Sequence, residues 1–141
     1  YLKNSDLSNC EVISDDKFKV HILKKSIFAV AKSGTVSLEI CNAKIPSIIL
    51  YKMNFINFFI IKMLVKIRFA NIINIAANNE VIPELLQSKC NPKNIFEVVS
   101  NFLETPSKVQ EQVKKTQEVL SQFRTNKSSS ESSSKALNKL L

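Results

Sequence analysis

Short apolar segments alternate with helical segments through the first third of the chain. Apolar runs at residues 10–13, 27–31 and 47–51 predict strands, and the nearly unbroken second run is typical of a strand buried on both faces of a parallel sheet. Helical patterns fill the intervals at residues 16–25 and 35–43. The order βαβαβ calls for right-handed crossovers, so the sequence predicts an α/β fold with a Rossmann-like parallel sheet and flanking helices.

The next part of the chain carries weaker patterns. We expect an apolar helix at residues 54–66, a last short strand at 71–74 and a short helix at 81–87. Asn91 followed by Pro92 then predicts the start of a further helix, because asparagine caps helices and proline is tolerated in the first helical position.

Two amphipathic helices complete the predicted fold. The helix that follows Pro92 has apolar residues at helical spacing, which predict a face turned to the core. Those residues are Ile95, Val98, Val99, Phe102 and Leu103. A last helix begins at Thr105 and Pro106, and its apolar positions share one face among many lysines and glutamines, so we expect it to lie on a surface. Those positions are Val109, Val113, Leu120 and Phe123.

Charge and cysteine content exclude several classes of function. The 141 residues allow one domain, and 20 basic against 12 acidic side chains give a net charge of +8. The lysines are scattered rather than clustered, so nucleic acid is not the expected partner. Cys10, Cys41 and Cys90 lie far apart and lack the spacing of metal ligands, so we expect reduced thiols rather than a metal site.

The most apolar window, residues 53–67, has two interpretations. It is interrupted by Lys62 and Lys66 and is shorter than the roughly 20 residues of a membrane-spanning helix, so we do not expect it to cross a bilayer. Its aromatic face, which includes Phe58 and Phe59, either packs in a core or rests on an anionic membrane surface. The first residues have no secretory signal pattern, so we expect no export.

The only glycine, Gly34, lies where a predicted strand gives way to a predicted helix. A glycine there lets the backbone turn tightly, and the amide groups of the following helical turn suit a diphosphate, with hydroxyls from Ser33 and Thr35 beside it. Glu39 lies one turn further along the same face, where its carboxylate would accept hydrogen bonds from ribose hydroxyls. Alternatively, a hydroxyl only caps the helix and Glu39 is a solvated surface residue. The pattern is neither GxGxxG nor a P-loop.

An ordered series of motifs resembles the carboxyl-terminal half of the lipid-A-disaccharide synthase family. In chain order the motifs are SGTVSLE at 33–39, Pro46 with its strand and YKM at 51–53, KMLVK at 62–66, Asn74, and ELLQ at 84–87. The similarity runs from about residue 12 to residue 87 and more loosely to 123. It implies a glycosyltransferase of the two-domain GT-B fold, of which this chain holds part.

The resemblance also implies a division of the chain and its partners. Residues 1–104 would be a truncated nucleotide-sugar-binding domain and 105–125 a helix. Independently of the resemblance, the serine-rich composition predicts a flexible linker at 126–134, and the leucines after it predict a terminal helical segment at 135–141. The reaction would condense UDP-2,3-diacylglucosamine with 2,3-diacylglucosamine 1-phosphate and release UDP, with no essential metal or other cofactor. The acceptor would bind through the missing domain. The protein would lie in the cytoplasm or at the inner membrane of a Gram-negative bacterium.

The resemblance assigns site residues as well. Ser33, Gly34 and Thr35 would border the diphosphate, Glu39 would hold the ribose, and Asn74 would lie in the loop facing the donor sugar. A second pair comes from the ELLQ motif, placed on a short helix, and either binds the nucleotide sugar or contributes only packing and a cap. That pair is Glu84 and Gln87.

Two departures and one absence bear on activity. Ile73 stands where the family usually has proline and Asn78 where it usually has glycine, and both changes alter the donor-side loop. The general base is expected in the family's preceding domain, so we predict no catalytic residue here and an inactive fragment. His21, the sole histidine, is expected to be structural. The alternative function is a non-catalytic remnant of a split gene that binds UDP or a membrane surface.

Overall fold

A computed structural model provides the fold and describes residues 10–54 and 68–123. These residues form five α-helices, three β-strands and one 3-10 turn. In chain order they are α1 (Asp16–Lys25), β1 (Ala29–Lys32), α2 (Thr35–Asn42), β2 (Ser47–Tyr51), α3 (Ile72–Ala77), β3 (Glu84–Leu86), the 3-10 turn Gln87–Lys89, α4 (Pro92–Glu104) and α5 (Pro106–Phe123). The predicted helix at 54–66, the linker at 126–134 and the terminal segment at 135–141 lie wholly or almost wholly outside the described residues.

The three strands form a parallel sheet in the order β1-β2-β3. Val30 of β1 is in register with Ile48 of β2, and Ile49 of β2 is in register with Glu84 of β3. Helix α2 connects β1 to β2, as the alternating sequence pattern predicts. The predicted α/β class, a small parallel sheet with flanking helices, is therefore confirmed.

The core lies between one face of the sheet and the helices α2, α3 and α5. It joins Ile49 of β2 to Cys41 of α2, Ile73 of α3 and Val119 of α5, and Ile82 before β3 completes the cluster. Each of these side chains is at least nine-tenths buried. Burying an aliphatic side chain of this size contributes about 1.5–3 kcal/mol, so the cluster fixes α2, α3 and α5 on the sheet.

Helix α5 lies at the surface as predicted, with most of its residues exposed, but the side that faces the core differs from the predicted apolar face. Its buried residues are Gln112, Thr116 and Val119. The Gln112 amide accepts a hydrogen bond from the backbone N–H of Ser47 (2.7 Å) and donates one to its carbonyl (2.9 Å). The pairing of β2 with β3 begins only at Ile49, two residues after β2 starts, so β3 offers no hydrogen-bond partner to the backbone N–H and carbonyl of Ser47. The buried Gln112 amide supplies one.

Three predictions of secondary structure are wrong. Residues 10–13 have no regular structure, so the predicted first strand does not form. Residues 71–74 start α3 instead of forming a strand, because the Asn71 side chain accepts a hydrogen bond from the Ile73 N–H and caps the helix. Residues 81–87 are not a helix: the Pro83 carbonyl accepts a hydrogen bond from the Ile49 N–H at 2.9 Å, which aligns the following residues with β2 as strand β3.

Strand β1 and helix α4 match the predicted elements but differ in burial. Along β1 the residues alternate between half-buried and exposed, with Val30 50% exposed, because β1 is an edge strand of the described sheet and is not covered on both faces. Helix α4 begins as predicted, with Asn91 accepting a hydrogen bond from the Asn94 N–H and Pro92 next. Its predicted core stripe is only half-buried, and Leu103 is exposed. Within residues 10–54 and 68–123, no helix has the length and apolarity needed to span a bilayer.

Candidate functional site

Several loops are tied together at the carboxyl edge of the sheet. The hydroxyl of Ser33, after β1, donates a hydrogen bond to the carbonyl of Ala70 at 2.7 Å. The segment that contains Ala70 precedes α3 and is bonded in turn to Glu84 at the start of β3. Ligands of open α/β sheets bind at this edge. The ties therefore assemble a candidate binding site where the residues after β1 meet the segment before α3, which is fixed in turn to the first residue of β3.

The turn between β1 and α2 is shaped by Gly34. Its φ of 153° is a conformation that residues with a Cβ rarely adopt, although a Cβ there would meet nothing within 4 Å. Glycine is therefore required by the backbone and not by crowding. Gly34 also occupies the cap position of α2, and no side chain of the described residues caps that helix. Ser33 does not cap it, because its hydroxyl is bonded to Ala70.

Thr35 and Glu39 lie on the exposed side of α2, one turn apart. The Glu39 carboxylate forms an ion pair with Lys19 of α1, with 2.9 Å between Oε2 and Nζ. Both side chains remain about half exposed. The four site residues predicted around the glycine are thus adjacent, and the carboxylate is accessible from solvent.

Glu84 is the first residue of β3 and is only 9% exposed. Its carboxylate accepts three hydrogen bonds, from the backbone N–H groups of Ala70 (2.7 Å) and Asn71 (2.9 Å) and from the side-chain amide of Asn74 (2.8 Å). Together with the Ser33 bond, these hydrogen bonds hold the segment at residues 70–74 between β1 and β3. This contact arises because residues 84–86 of the ELLQ motif form strand β3, whereas the sequence analysis placed the motif on a helix.

Asn74 is fully buried and its side-chain amide is fully engaged. Its Nδ2 donates to the carbonyl of Ile82 (2.7 Å) and to Glu84, while Oδ1 accepts from the N–H groups of Val81 and Ile82, both at 2.8 Å. A primary amide offers two donors and two acceptor positions, and all four are used here. Asn74 is itself a residue of α3, so the expectation that it lies in a loop is wrong; its amide holds the loop before β3 to that helix.

Gln87 plays a similar part at the far end of β2. It lies just after β3 with a positive φ of 51°. Its amide accepts a hydrogen bond from the Met53 N–H (2.8 Å) and donates one to the Met53 carbonyl (3.1 Å). The segment that leaves β2 is thereby fixed to the end of β3, at the same edge as Ser33.

Cations that the sequence analysis did not assign to the site also lie at this edge. Lys32, the last residue of β1, has its Nζ 5.6 Å from the ring centroid of Tyr51, the last residue of β2. The guanidinium of Arg68 lies 5.4 Å from the ring centroid of Phe69, just before the segment held by Glu84. Their positive charge favours an anionic ligand. The pairing of β1 with β2, which brings Lys32 beside Tyr51, could not be read from sequence spacing.

The two departures from the family pattern are accommodated locally. Asn78 adopts the left-handed conformation, with φ 48° and ψ 30°, which asparagine tolerates better than most residues. Ile73 is fully buried in the core, and its N–H donates to the Asn71 side chain, a bond that proline lacks the hydrogen to make. The loop before β3 is therefore well ordered by its own hydrogen bonds despite both changes.

Among the described residues, the cysteine and histidine side chains contribute no hydrogen bond to this edge network. Cys10 is exposed, Cys90 is half-buried and Cys41 is buried in the core, where burial raises the pKa of its thiol to about 11. The ring centroid of His21 lies 6.1 Å from that of Phe18 on the same helix. Among the residues that the structure describes, no cluster of histidine, cysteine and carboxylate side chains could hold a metal ion.

Comparison with known proteins gives one consistent result. The family model described as Lipid-A-disaccharide synthetase matches residues 1–139. The lipid-A-disaccharide synthase of Rickettsia conorii is 38% identical over 118 residues, which cover 82% of this chain and 26% of that protein. The enzyme of Rickettsia felis is 38% identical over 121 residues (84% and 30%), and that of a Sulfurihydrogenibium species is 39% identical over 99 residues (70% and 26%).

The chain thus spans less than a third of the length of these relatives. The match nevertheless extends over nearly the whole chain, including both the SGTVSLE and the ELLQ motifs. The chain therefore belongs to the lipid-A-disaccharide synthetase family.

Proposed function

We propose that the chain is the UDP-binding part of a glycosyltransferase of lipid A biosynthesis. The complete enzyme would condense UDP-2,3-diacylglucosamine with 2,3-diacylglucosamine 1-phosphate and release UDP. Family membership supports the reaction class. The observation that carries the assignment of the site is the bond between Ser33 and Ala70, which joins the β1 turn to the segment just before α3. The donor would bind where these two segments meet.

The diphosphate would lie against the first turn of α2. A helix amino terminus carries roughly half a positive elementary charge, and here no described side chain occupies it as a cap. Gly34 keeps the backbone open to the ligand, and Ser33 and Thr35 supply hydroxyls at its border. Lys32 adds positive charge at the same edge of the sheet. The accessible Glu39 would accept hydrogen bonds from the ribose hydroxyls.

The remaining residues of the proposed site would serve the donor through the loops that they hold. Asn74, Glu84 and Gln87 have their polar atoms bonded to backbone or to each other, so they would set the position of the donor-side loop and of the segment after β2. This arrangement favours a pre-organised site, in which little ordering entropy remains to be lost when the donor binds.

In the proposed transfer, the acceptor hydroxyl oxygen attacks the anomeric carbon of the donor sugar while the bond from that carbon to the UDP oxygen breaks. A general base takes the hydroxyl proton, and UDP leaves with the bonding electron pair. This chain would stabilise the charge that develops on the departing diphosphate, through the α2 amide groups and nearby cations. The base would come from the part of the family that this chain does not span, so the chain alone would be inactive.

Isothermal titration of the folded chain with UDP tests the binding site. We expect saturable binding that Glu39→Gln weakens by at least about tenfold, since the ribose loses charge-assisted hydrogen bonds. Glu97→Gln is the matched control, because Glu97 is an exposed glutamate on α4. A folded chain that does not bind UDP, or one in which Glu39→Gln binds like Glu97→Gln, would contradict the proposal. Incubation with donor and acceptor should yield no disaccharide, and turnover by the chain alone would disprove its inactivity.

We also propose an anionic membrane surface as a partner, because both substrates of the proposed reaction carry acyl chains. The aromatic residues that would make this contact, Phe58 and Phe59, lie outside the described residues. Flotation with liposomes that contain anionic lipid should recover the chain, and Phe58→Ser with Phe59→Ser should abolish recovery. Equal recovery of both proteins would assign the aromatic face to a core instead.

A further inference from the structure

The ion pair between α1 and α2 involves the carboxylate that is proposed to hold the ribose. Nζ of Lys19 lies 2.9 Å from Oε2 of Glu39, a distance typical of a charge-assisted hydrogen bond. The other carboxylate oxygen of Glu39 accepts no hydrogen bond from the described residues. One oxygen is therefore anchored by the lysine, while the Glu39 side chain as a whole remains half exposed on α2.

We propose that Lys19 is a positioning residue for nucleotide recognition, which orients the Glu39 carboxylate toward the 2′ and 3′ hydroxyls of the ribose. This inference rests on the proposed function. A glutamate side chain on a helix surface has several rotatable bonds, and binding must fix them at an entropic cost. An ion pair that already holds the carboxylate reduces that cost before the ligand arrives. Lys19 is part of neither the SGTVSLE motif nor the strand ends, and only the packing of α1 beside α2 brings it to the site.

The position of the pair along α2 separates this role from a direct phosphate contact. Glu39 lies four residues after Thr35, and at about 1.5 Å per residue this places it about 6 Å along the helix from the terminus proposed for the diphosphate. The ammonium of Lys19 is held at the Glu39 carboxylate. Its effect on binding should therefore depend on the ribose hydroxyls and on Glu39 itself.

Titration calorimetry with two nucleotides tests this dependence. The 141-residue chain and its variants are titrated with UDP and with 2′,3′-dideoxyuridine diphosphate, which has the same phosphates but lacks both hydroxyls. The variants are Lys19→Gln, Lys19→Arg, Glu39→Gln and the double variant Lys19→Gln with Glu39→Gln. Lys115→Gln is the matched control, since Lys115 forms an equally exposed ion pair with Glu111 on α5, at 2.6 Å.

We expect Lys19→Gln to weaken UDP binding about threefold to fivefold, the range of an exposed ion pair that becomes part of a binding contact. Lys19→Arg should restore binding, because arginine keeps the charge and the donors. The control should bind like the unaltered chain, and the dideoxy nucleotide should bind the unaltered chain and Lys19→Gln equally. In the Glu39→Gln background, the lysine substitution should have no further effect.

Three results would overturn the inference. Lys19→Gln could bind UDP as tightly as the Lys115→Gln control. Lys19→Gln could also reduce the affinity for UDP and for the dideoxy nucleotide by the same factor. Finally, Lys19→Gln could still weaken UDP binding in the Glu39→Gln background. Either of these two results would assign Lys19 to the phosphates or to general folding. If the unaltered, folded chain binds no UDP, the proposed function itself fails and the inference with it; the first measurement of the series therefore distinguishes the two failures.

Discussion

Replacement of Glu84 by glutamine tests whether the segment at residues 70–74 is held in place by a buried carboxylate. In the native chain Oε2 accepts from the Ala70 N–H, while Oε1 accepts from Asn71 and Asn74. A glutamine can keep its oxygen at the Oε1 position, which preserves two bonds in weaker, neutral form. Its NH2 group then faces the Ala70 N–H, so one charge-assisted bond is lost and two donors meet.

The expected cost of Glu84→Gln follows from these changes. A hydrogen bond to a charged group contributes about 1.5–3 kcal/mol, and a buried donor left without an acceptor costs a further 1–3 kcal/mol. Allowing for partial relaxation, we expect the free energy of unfolding to fall by about 2–4 kcal/mol, a large fraction of the 5–15 kcal/mol typical of a domain.

Urea denaturation followed by far-ultraviolet circular dichroism measures this loss. The matched control is Glu97→Gln, since Glu97 is exposed and lies 4.0 Å from its ion-pair partner, so its replacement should change the free energy of unfolding by less than about 0.5 kcal/mol. If Glu84→Gln costs no more than this control, the carboxylate does not hold the loop and the reasoning is refuted.

Three further predictions concern other buried polar groups. Gln112→Ala should lower the free energy of unfolding by about 2 kcal/mol, because two backbone groups of β2 lose their hydrogen-bond partner. In the same denaturation assay, the control Gln110→Ala on the exposed side of α5 should leave the free energy of unfolding almost unchanged. Asn71→Ser should keep the cap of α3 and remove a buried amide nitrogen that has no partner among the described residues. A thermal melt should therefore show equal or higher stability, and a loss above about 1 kcal/mol would contradict this. Because burial raises the pKa of Cys41 from 9.0 to about 11, the folded state retains this proton longer than the unfolded state, and stability should fall as the pH rises from about 9 to about 11. At pH 8 a thiol reagent should label Cys10 rapidly and Cys41 only after unfolding; equal rates would show that Cys41 is accessible.

The first part of the fold could be predicted because its elements follow simple patterns. Strand β2 is a continuous apolar run, and its bounds were predicted without error. Helix α1 was predicted from the acidic residues at its start, and helix α2 from the glycine turn before it. The same turn located the proposed diphosphate site at Gly34. The burial of β1 could not be predicted in the same way, since an apolar run indicates a strand but does not indicate whether another element covers its second face.

The contacts that the sequence patterns did not predict are those of polar side chains bonded to backbone. Gln112 closes the amino end of β2, Gln87 closes its carboxyl end, and Glu84 with Asn74 fixes the loop between α3 and β3. Hydrophobic periodicity cannot predict such bonds, because the partner of each side chain is a backbone group distant in sequence.

The same bonds change the interpretation of the donor-side residues. A side chain whose polar atoms are all engaged within the protein can affect a ligand only by moving the segment that it holds, as Asn74 illustrates. Substitution of such a residue should then reduce stability and nucleotide affinity together. Substitution of Glu39, whose carboxylate is half exposed, should reduce affinity while leaving stability almost unchanged. The ratio of the two losses, measured residue by residue, therefore separates the residues that touch the nucleotide from those that shape its site.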